Sequence, residues 1–242
     1  MRPAYWLYRK FWLSLDWLYP PACGGCSRPG DRWCCSCNQQ VQILFSDVCQ
    51  ICGELLLNGN SARFCRDCLG NRPRFQAMRS WGAFTGPLRE AIHRLKYRKD
   101  VALGEALSRP LQDLVRSLNW PIDLIVPVPL SDQRLRERGY NQADCLALPM
   151  ALALGVDYHS RALLRIKNTQ SQVGLSAHQR KENVLNAFSA NPRLVTGRQV
   201  LVIDDVATTG ATIHSCAGAL LDAGAVQVFG MTLARAFHYP VE

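Results

Sequence analysis

The chain has 242 residues, 48% of them hydrophobic, and a formal net charge of +9. That length holds one large domain, or a small module beside a medium one, and the apolar content suffices for a packed core. The first 72 residues carry eight basic against five acidic side chains and the remainder 20 against 14, so the charge is not gathered in a tail. Such a charge suits an anionic ligand, either a phosphorylated small molecule or nucleic acid, but equally an ordinary basic protein with neither. No apolar run approaches the ~20 residues that span a bilayer. The aromatic start, Met1 to Pro21, is broken by Arg9, Lys10 and Asp16, and no small-residue cleavage site follows it. A cytoplasmic protein with reduced thiols is expected.

Trp6, Leu7, Phe11, Leu15 and Leu18 fall at helical spacing, and Pro20-Pro21 would stop the helix. Its apolar face would dock on the body of the protein or lie on a membrane surface. The short, weakly basic polar side favours the body. Residues 23–72 are rich in Cys, Gly, Asn and Arg and short of long periodic stretches, a loop-rich module that apolar burial alone would not hold. The polar Asn71-Arg72-Pro73-Arg74 marks a boundary, giving an N-terminal module over 1–72 and a second domain over 73–242.

From Phe75 the pattern turns α/β. Leu88, Ile92, Leu95, Leu103 and Leu107 mark helical faces. Leu124-Ile125-Val126 and Val200-Leu201-Val202-Ile203 are short, continuously apolar runs, as strands buried on both faces are. Asn141 to Leu154 has helical spacing, with Pro149 expected to kink or end it. Ile213, Ala217, Leu220 and Leu221 share one helical face, Gly224 suits the cap, and Val226 to Leu233 is a third strand. Strands alternating with helices predict a mostly parallel sheet covered on both sides.

Nine of the 11 cysteines lie between Cys23 and Cys68. They form four Cys-x-x-Cys knuckles: Cys23/Cys26, Cys34/Cys37, Cys49/Cys52 and Cys65/Cys68. Each knuckle aims two thiolates at one tetrahedral ion, and two knuckles complete the shell of a structural zinc. Metal binding would supply the folding energy the module lacks. Sequential pairing is simplest, giving one or two zinc ions. Crossed pairing stays open, as does Cys35 in place of Cys34. Disulfides conflict with the reducing compartment, and a redox pair needs no four copies. A closed shell of four cysteines has no position for a substrate, so the sites are structural. Arg63, Arg66, Arg72 and Arg74 with Phe64 and Phe75 could stack on single-stranded DNA, or be ordinary surface and core.

The segment from Val200 to Thr212 reads VLVIDDVATTGAT. An apolar strand ends in two acids, a loop of small hydroxyl residues and a glycine follows, and a helix begins. Unpaired N–H groups of such a loop and of the first helical turn make an anion site. Gly210 admits the anion close to the backbone, and Thr208, Thr209 and Thr212 add hydroxyls. Asp204 and Asp205 beside an anion make sense as acceptors from sugar hydroxyls, or as holders of a divalent cation bridging to pyrophosphate. Arg134, Arg136 and Arg138, following Val126-Pro127-Val128-Pro129-Leu130, cannot all share a helical face. They read as a basic loop, ringing an anion or simply solvated. Residues 164–183 are polar, basic and aperiodic, suiting a lid over pyrophosphate or a plain connector.

The Val200–Thr212 segment resembles the 5-phosphoribosyl-1-pyrophosphate (PRPP) signature of type I phosphoribosyltransferases. That resemblance implies Asp204 and Asp205 on the ribose 2′- and 3′-hydroxyls, and Ala207, Thr208, Thr209, Gly210, Ala211 and Thr212 around the 5′-phosphate. Mg2+ would accompany PRPP, with Lys167 or Arg180 on the pyrophosphate. The knuckles, Leu95-Lys96-Tyr97, Val126 to Leu130, Arg138 to Ala143, Thr169-x-x-Gln172, Arg180-x-x-Asn183 and the loop, in that order, resemble the competence protein F family along essentially the whole chain. Membership implies a bacterial cytosolic protein linked to natural DNA uptake or to external DNA as nutrient, with helicase and recombination proteins as partners. Three readings follow: an enzyme using PRPP, a PRPP or nucleotide sensor or single-stranded-DNA adaptor docking through the zinc module, and a purely structural protein. The intact Asp204-Asp205 loop argues against the last. No segment specifies a base as acceptor.

Overall fold

The frame is a five-stranded, wholly parallel sheet in the computed structural model, which describes residues 3–44, 46–56, 63–166 and 187–237. Its strands are β1 (Ala77–Ala83), β2 (Leu124–Pro127), β3 (Asp157–Tyr158), β6 (Gln199–Ala207) and β7 (Gln227–Arg235), in the order β1-β7-β6-β2-β3. A two-stranded antiparallel ribbon, β4 (Leu163–Arg165) with β5 (Phe188–Ala190), stands apart. This is the expected α/β architecture. β1 carries no clear apolar pattern and becomes a strand by pairing along β7, from Ala77 opposite Phe229 to Ala83 opposite Arg235.

Side chains alternate between the two faces of the sheet, and here both faces are buried. Leu124, Val126, Val200, Val202 and Val228 point into one core with α9 (Ala211–Asp222), through its Ile213, Ala217 and Leu220. Ile125, Leu201, Ile203, Phe229 and Met231 point into the other, beneath α4 (Gly86–Tyr97), α5 (Leu103–Leu118) and α7 (Gln142–Leu154). Burial on both sides explains the continuous apolar runs of β2 and β6.

Pro149 lies inside α7 and does not end it. A proline there leaves the Cys145 carbonyl, four residues earlier, without a helical partner. That carbonyl lies where α7 crosses α5 at closest approach. A Cβ on Gly104 would sit 2.6 Å from the Cys145 oxygen and 2.6 Å from its Cβ. α5 thus packs closely on α7 one turn before the proline. The segment expected to be a basic loop is also a helix, α6 (Asp132–Arg138), between the side-chain cap of Ser131 and a left-handed Gly139.

α1 (Pro3–Leu18) docks on the body, but by the opposite face from the one expected. Tyr5 is buried and donates to Glu105, Arg9 pairs with Glu105 at 3.6 Å, and Asp16 pairs with Arg32. Trp6, Leu7, Phe11 and Leu18 are exposed. The buried carboxylate of Glu105 is bonded by Arg109 of its own helix, and Tyr5 and Arg9 of α1 add to that set. No helix among the described residues is long and apolar enough to cross a membrane.

The eight knuckle cysteines converge as two sets, Cys23/Cys26/Cys34/Cys37 and Cys49/Cys52/Cys65/Cys68, with all sulfurs of each set within 4.8 Å of one another. Cys26 and Cys34 Sγ are 3.8 Å apart, and Cys52 and Cys65 Sγ 3.6 Å. Four sulfurs at about 2.3 Å from one zinc sit about 3.8 Å apart. Pairing is therefore sequential, and Cys35 lies outside both sets. Helices α2 (Cys35–Gln39) and α3 (Arg66–Gly70) open directly after Cys34 and Cys65. Burial opposes the Cys23 thiolate, but N–H groups of Cys34, Cys26 and Gly25 prevail and lower its pKa to about 6. Cys49, likewise opposed by burial, falls to about 7 through N–H groups of Cys52, Cys65 and Ile51. Such donors favour the ligating form.

Two outcomes follow. Gly104→Ala should lower stability by about 1–3 kcal/mol through overpacking, read by urea unfolding; an unchanged midpoint would contradict the α5–α7 contact. Metal analysis should find two zinc ions per chain, still two in Cys35→Ser and one in Cys68→Ser; loss of zinc from Cys35→Ser would overturn the assignment.

Candidate functional site

At the carboxyl end of β6 the buried strand gives way to Asp204, Asp205 and the loop leading into α9. Gly210 is the residue before the helix, with φ +77. A left-handed turn there favours glycine. A Cβ at Gly210 would also meet Met78 Sδ at 3.4 Å, so the loop rests on the β1 side of the core. Thr209 Oγ1 accepts from Ala211 N at 3.4 Å. Ala207, Thr208, Thr209, Gly210, Ala211 and Thr212 all line one hollow of roughly 190 Å³, with Asp204 at its edge.

That hollow opens beside a larger cleft of roughly 610 Å³, to which Asp204, Asp205, Thr208 and Thr212 also belong. Lys96, Lys99, Arg134, Arg138 and Arg165 also line it, with Glu137. Arg134 and Arg138, one helical turn apart on α6, reach it, whereas Arg136 is not part of its lining. A helix thus does what the alternating arginines seemed to forbid, by using two of the three. Lys167 and Arg180 lie outside the described residues. β4 and β5 bring the flanks of residues 167–186 together, Arg165 opposite Phe188, with Arg165 on the cleft.

The acidic pair is held at specific atoms. Asp205 N donates to Asp204 Oδ1 at 2.8 Å, and Val206 N donates to Asp205 Oδ1 at 2.9 Å. Asp205 is buried, and Lys96 Nζ lies 2.6 Å from its Oδ2. Asp204 keeps some surface at the cleft but is densely surrounded by protein. That burial, then the charge of Asp205, push its carboxyl well above the usual carboxylate range. The Asp205 N–H and the Lys96 charge work in the opposite direction. Burial lowers the Arg165 pKa, as does the charge of Arg134, and Asp204 opposes them. The cleft therefore sets two acids among five basic side chains.

The second cysteine set props the loop from beneath. Met78, which underlies Gly210, donates its N–H to Ile51 O at 2.7 Å. Arg235, at the end of β7, is 1% exposed and donates to Cys52 O at 2.8 Å and to Glu54. Cys49, Ile51, Cys52 and Cys68 share one core with Met78 and Ile213. By contrast, the arginine–aromatic group at the module's end is no single surface: Phe75 is buried, and Arg74 pairs with Asp222. Lys96 is the site residue that sequence reasoning missed. Leu95-Lys96-Tyr97 stood out only as a resemblance, because its partner is 109 positions away.

Residues 14–69 match the family model of the double zinc ribbon domain. The DNA utilization protein YhgH of Salmonella typhi is 36% identical over 89% of this chain and 97% of its own length. Competence protein F of Haemophilus influenzae is 33% identical over 84% of this chain and 90% of its own. Competence protein ComFC of Bacillus subtilis is 29% identical over 86% of each. Among solved structures, an adenine phosphoribosyltransferase covers 58% of this chain and 81% of that one, at 17% identity and a TM-score of 0.38. A glutamine PRPP amidotransferase from B. subtilis covers 59% of this chain, which spans 27% of that one, at 21% identity and a TM-score of 0.36. Structural likeness at those scores carries no argument. The sequence relatives do, and with the double zinc ribbon in place the chain belongs to the competence protein F family.

Proposed function

We propose that this chain is a PRPP-binding, phosphoribosyltransferase-like protein that serves natural DNA uptake or the use of external DNA as a nutrient. The observation that carries the ligand is the corner after β6, where two carboxylates adjoin a hollow lined by backbone and threonines at the start of a 12-residue helix. Asp204 and Asp205 would accept from the ribose hydroxyls. Ala207 to Thr212 would hold the 5′-phosphate with N–H groups and the helix dipole. The basic side chains of the cleft suit the pyrophosphate, and Mg2+ would arrive with it. The biological setting rests on the relatives named for competence and for DNA utilization. Lys167 and Arg180 keep their proposed place on the pyrophosphate from sequence alone, as do a cytoplasmic location and single-stranded DNA and DNA-handling proteins as partners. The zinc sites are structural.

If the ribose reacts, the bond from C1 to pyrophosphate loosens, and the protein's contribution is orientation and charge compensation. Binding without turnover would make the chain a sensor. Calorimetry with PRPP and Mg2+ separates the cases. Wild-type protein should bind, and the Asp204→Asn/Asp205→Asn variant should not; absence of wild-type binding would sink the proposal. Pyrophosphate release across a panel of bases would then mark an enzyme.

The raised Asp204 carboxyl gives an independent check. Its folded-state pKa lies above the ordinary 3.8. Above pH 3.8 the unfolded chain thus holds fewer protons, and stability falls as pH rises towards the folded value. Asp204→Asn stays neutral. It should melt higher than wild type at pH 7, with the gap closing near pH 4, while ribose 5-phosphate affinity falls about tenfold or more. A variant less stable at neutral pH would contradict this electrostatic account.

A further inference from the structure

One motif is unused by the function as stated: Leu95-Lys96-Tyr97, the last turn of α4. Each of its residues makes a separate long-range contact. The Leu95 carbonyl accepts from the Tyr140 hydroxyl. The Tyr97 ring lies under the Arg138 guanidinium, 5.3 Å from centroid to Cζ. Lys96 Nζ, between them, sits 2.6 Å from Asp205 Oδ2. The position of Lys96 is therefore fixed on both sides by the segment that ends α6 and starts α7. Arg138 is itself tied to Gln142, and Asn141 Nδ2 donates to Val128 O at 2.9 Å at the exit of β2. Three stretches far apart in sequence lock around a single ion pair.

The pair is expensive. Asp205 is 3% exposed, and the Lys96 side chain is 19% exposed. Desolvating two charges offsets most of their attraction, so a buried pair is weak evidence of a stabilising role. What it does is geometric. Asp205 Oδ1 takes the Val206 N–H, and Oδ2, which has no hydrogen-bond partner, is held by the charge of Lys96 alone. The Lys96 charge also reaches Asp204.

Resting on the PRPP reading, we infer that Lys96 is the positioning residue of the ribose pocket, acting through Asp205 and not by touching the pyrophosphate. Without it, Asp205 is left buried and uncompensated beside Asp204, held at Oδ1 alone. Its geometry for the ribose hydroxyls is lost, whichever group sits on C1. The loop from Ala207 to Thr212, on the other side of the acids, needs nothing from Lys96.

The probes are ribose 5-phosphate, which has the hydroxyls and no pyrophosphate, and PRPP with Mg2+. Both are titrated into wild type, Lys96→Met and Lys96→Arg. Lys96→Met should weaken both ligands by the same factor, roughly tenfold to a hundredfold, and Lys96→Arg should recover most of it. Loss of PRPP binding with ribose 5-phosphate unchanged would overturn the inference, because Lys96 would then act on the pyrophosphate. Equal binding by Lys96→Met would overturn it as well. Wild-type protein that binds neither ligand would instead remove the PRPP reading on which it rests. Should Lys96→Met fold poorly, the Asp205→Asn/Lys96→Met double variant, which buries no lone charge, replaces it. That protein should bind ribose 5-phosphate no more weakly than Asp205→Asn alone; a further loss would show that Lys96 acts independently of Asp205 and would refute the inference.

Discussion

Two carboxylates side by side at the end of a buried strand are a problem in electrostatics, and much of the surrounding structure answers it. Burial and mutual repulsion push the Asp204 carboxyl up. Backbone N–H groups and Lys96 hold the pair in place. A protein selected only for stability would not keep such a pair. On the proposed reading it is a fixed set of acceptors for sugar hydroxyls, next to the loop proposed for the phosphate. The basic side chains of the same cleft suit the charge of a pyrophosphate.

The zinc module belongs to this arrangement. A cysteine-rich segment of such length lacks a core of its own, and metal supplies the missing stability. Its second knuckle pair then shares that stability with the sheet. Arg235 enters the Cys52–Glu54 turn from β7, and Met78 bonds Ile51 while lying under Gly210. The first set faces the other layer, where Arg94 of α4 donates to Cys23 O at 2.9 Å. Since α4 carries Lys96, both metal sites brace elements that reach the acidic pair. The module's position is that of a scaffold for the site, whatever else it docks against.

Local chemistry was legible in the sequence and remote partnership was not. Cysteine spacing marked the four knuckles, because a knuckle is complete within four residues, while their pairing into two sets came from the fold. The strand–turn–helix of β6 and α9 was visible for the same reason, and so were the doubly buried runs of β2 and β6. Most of the differences are long-range, and α6 is the local exception. Pro149 sits inside α7, whose Cys145 turn packs closely on α5, and no local rule contains α5. β1 is held by pairing with β7 on one edge and by bonds to Gln42, Leu44 and Ile51 on the other. The face that α1 buries is chosen by Glu105, about 100 residues away. α6 was misread although Ser131 and Gly139, a cap at each end, were in plain sight; attention to the alternation of three arginines hid them. Lys96 carried no local sign of Asp205.

The central claim is that the corner after β6 is a 5-phosphoribosyl site. A crystal structure with ribose 5-phosphate tests it most directly. The account predicts the phosphate within hydrogen-bonding distance of the backbone from Ala207 to Thr212, and the 2′- and 3′-hydroxyls on Asp204 and Asp205. It also predicts that Lys96 still contacts Asp205 and not the ligand. A ligand bound elsewhere, or a phosphate on the basic side chains of the cleft with the loop empty, would contradict it.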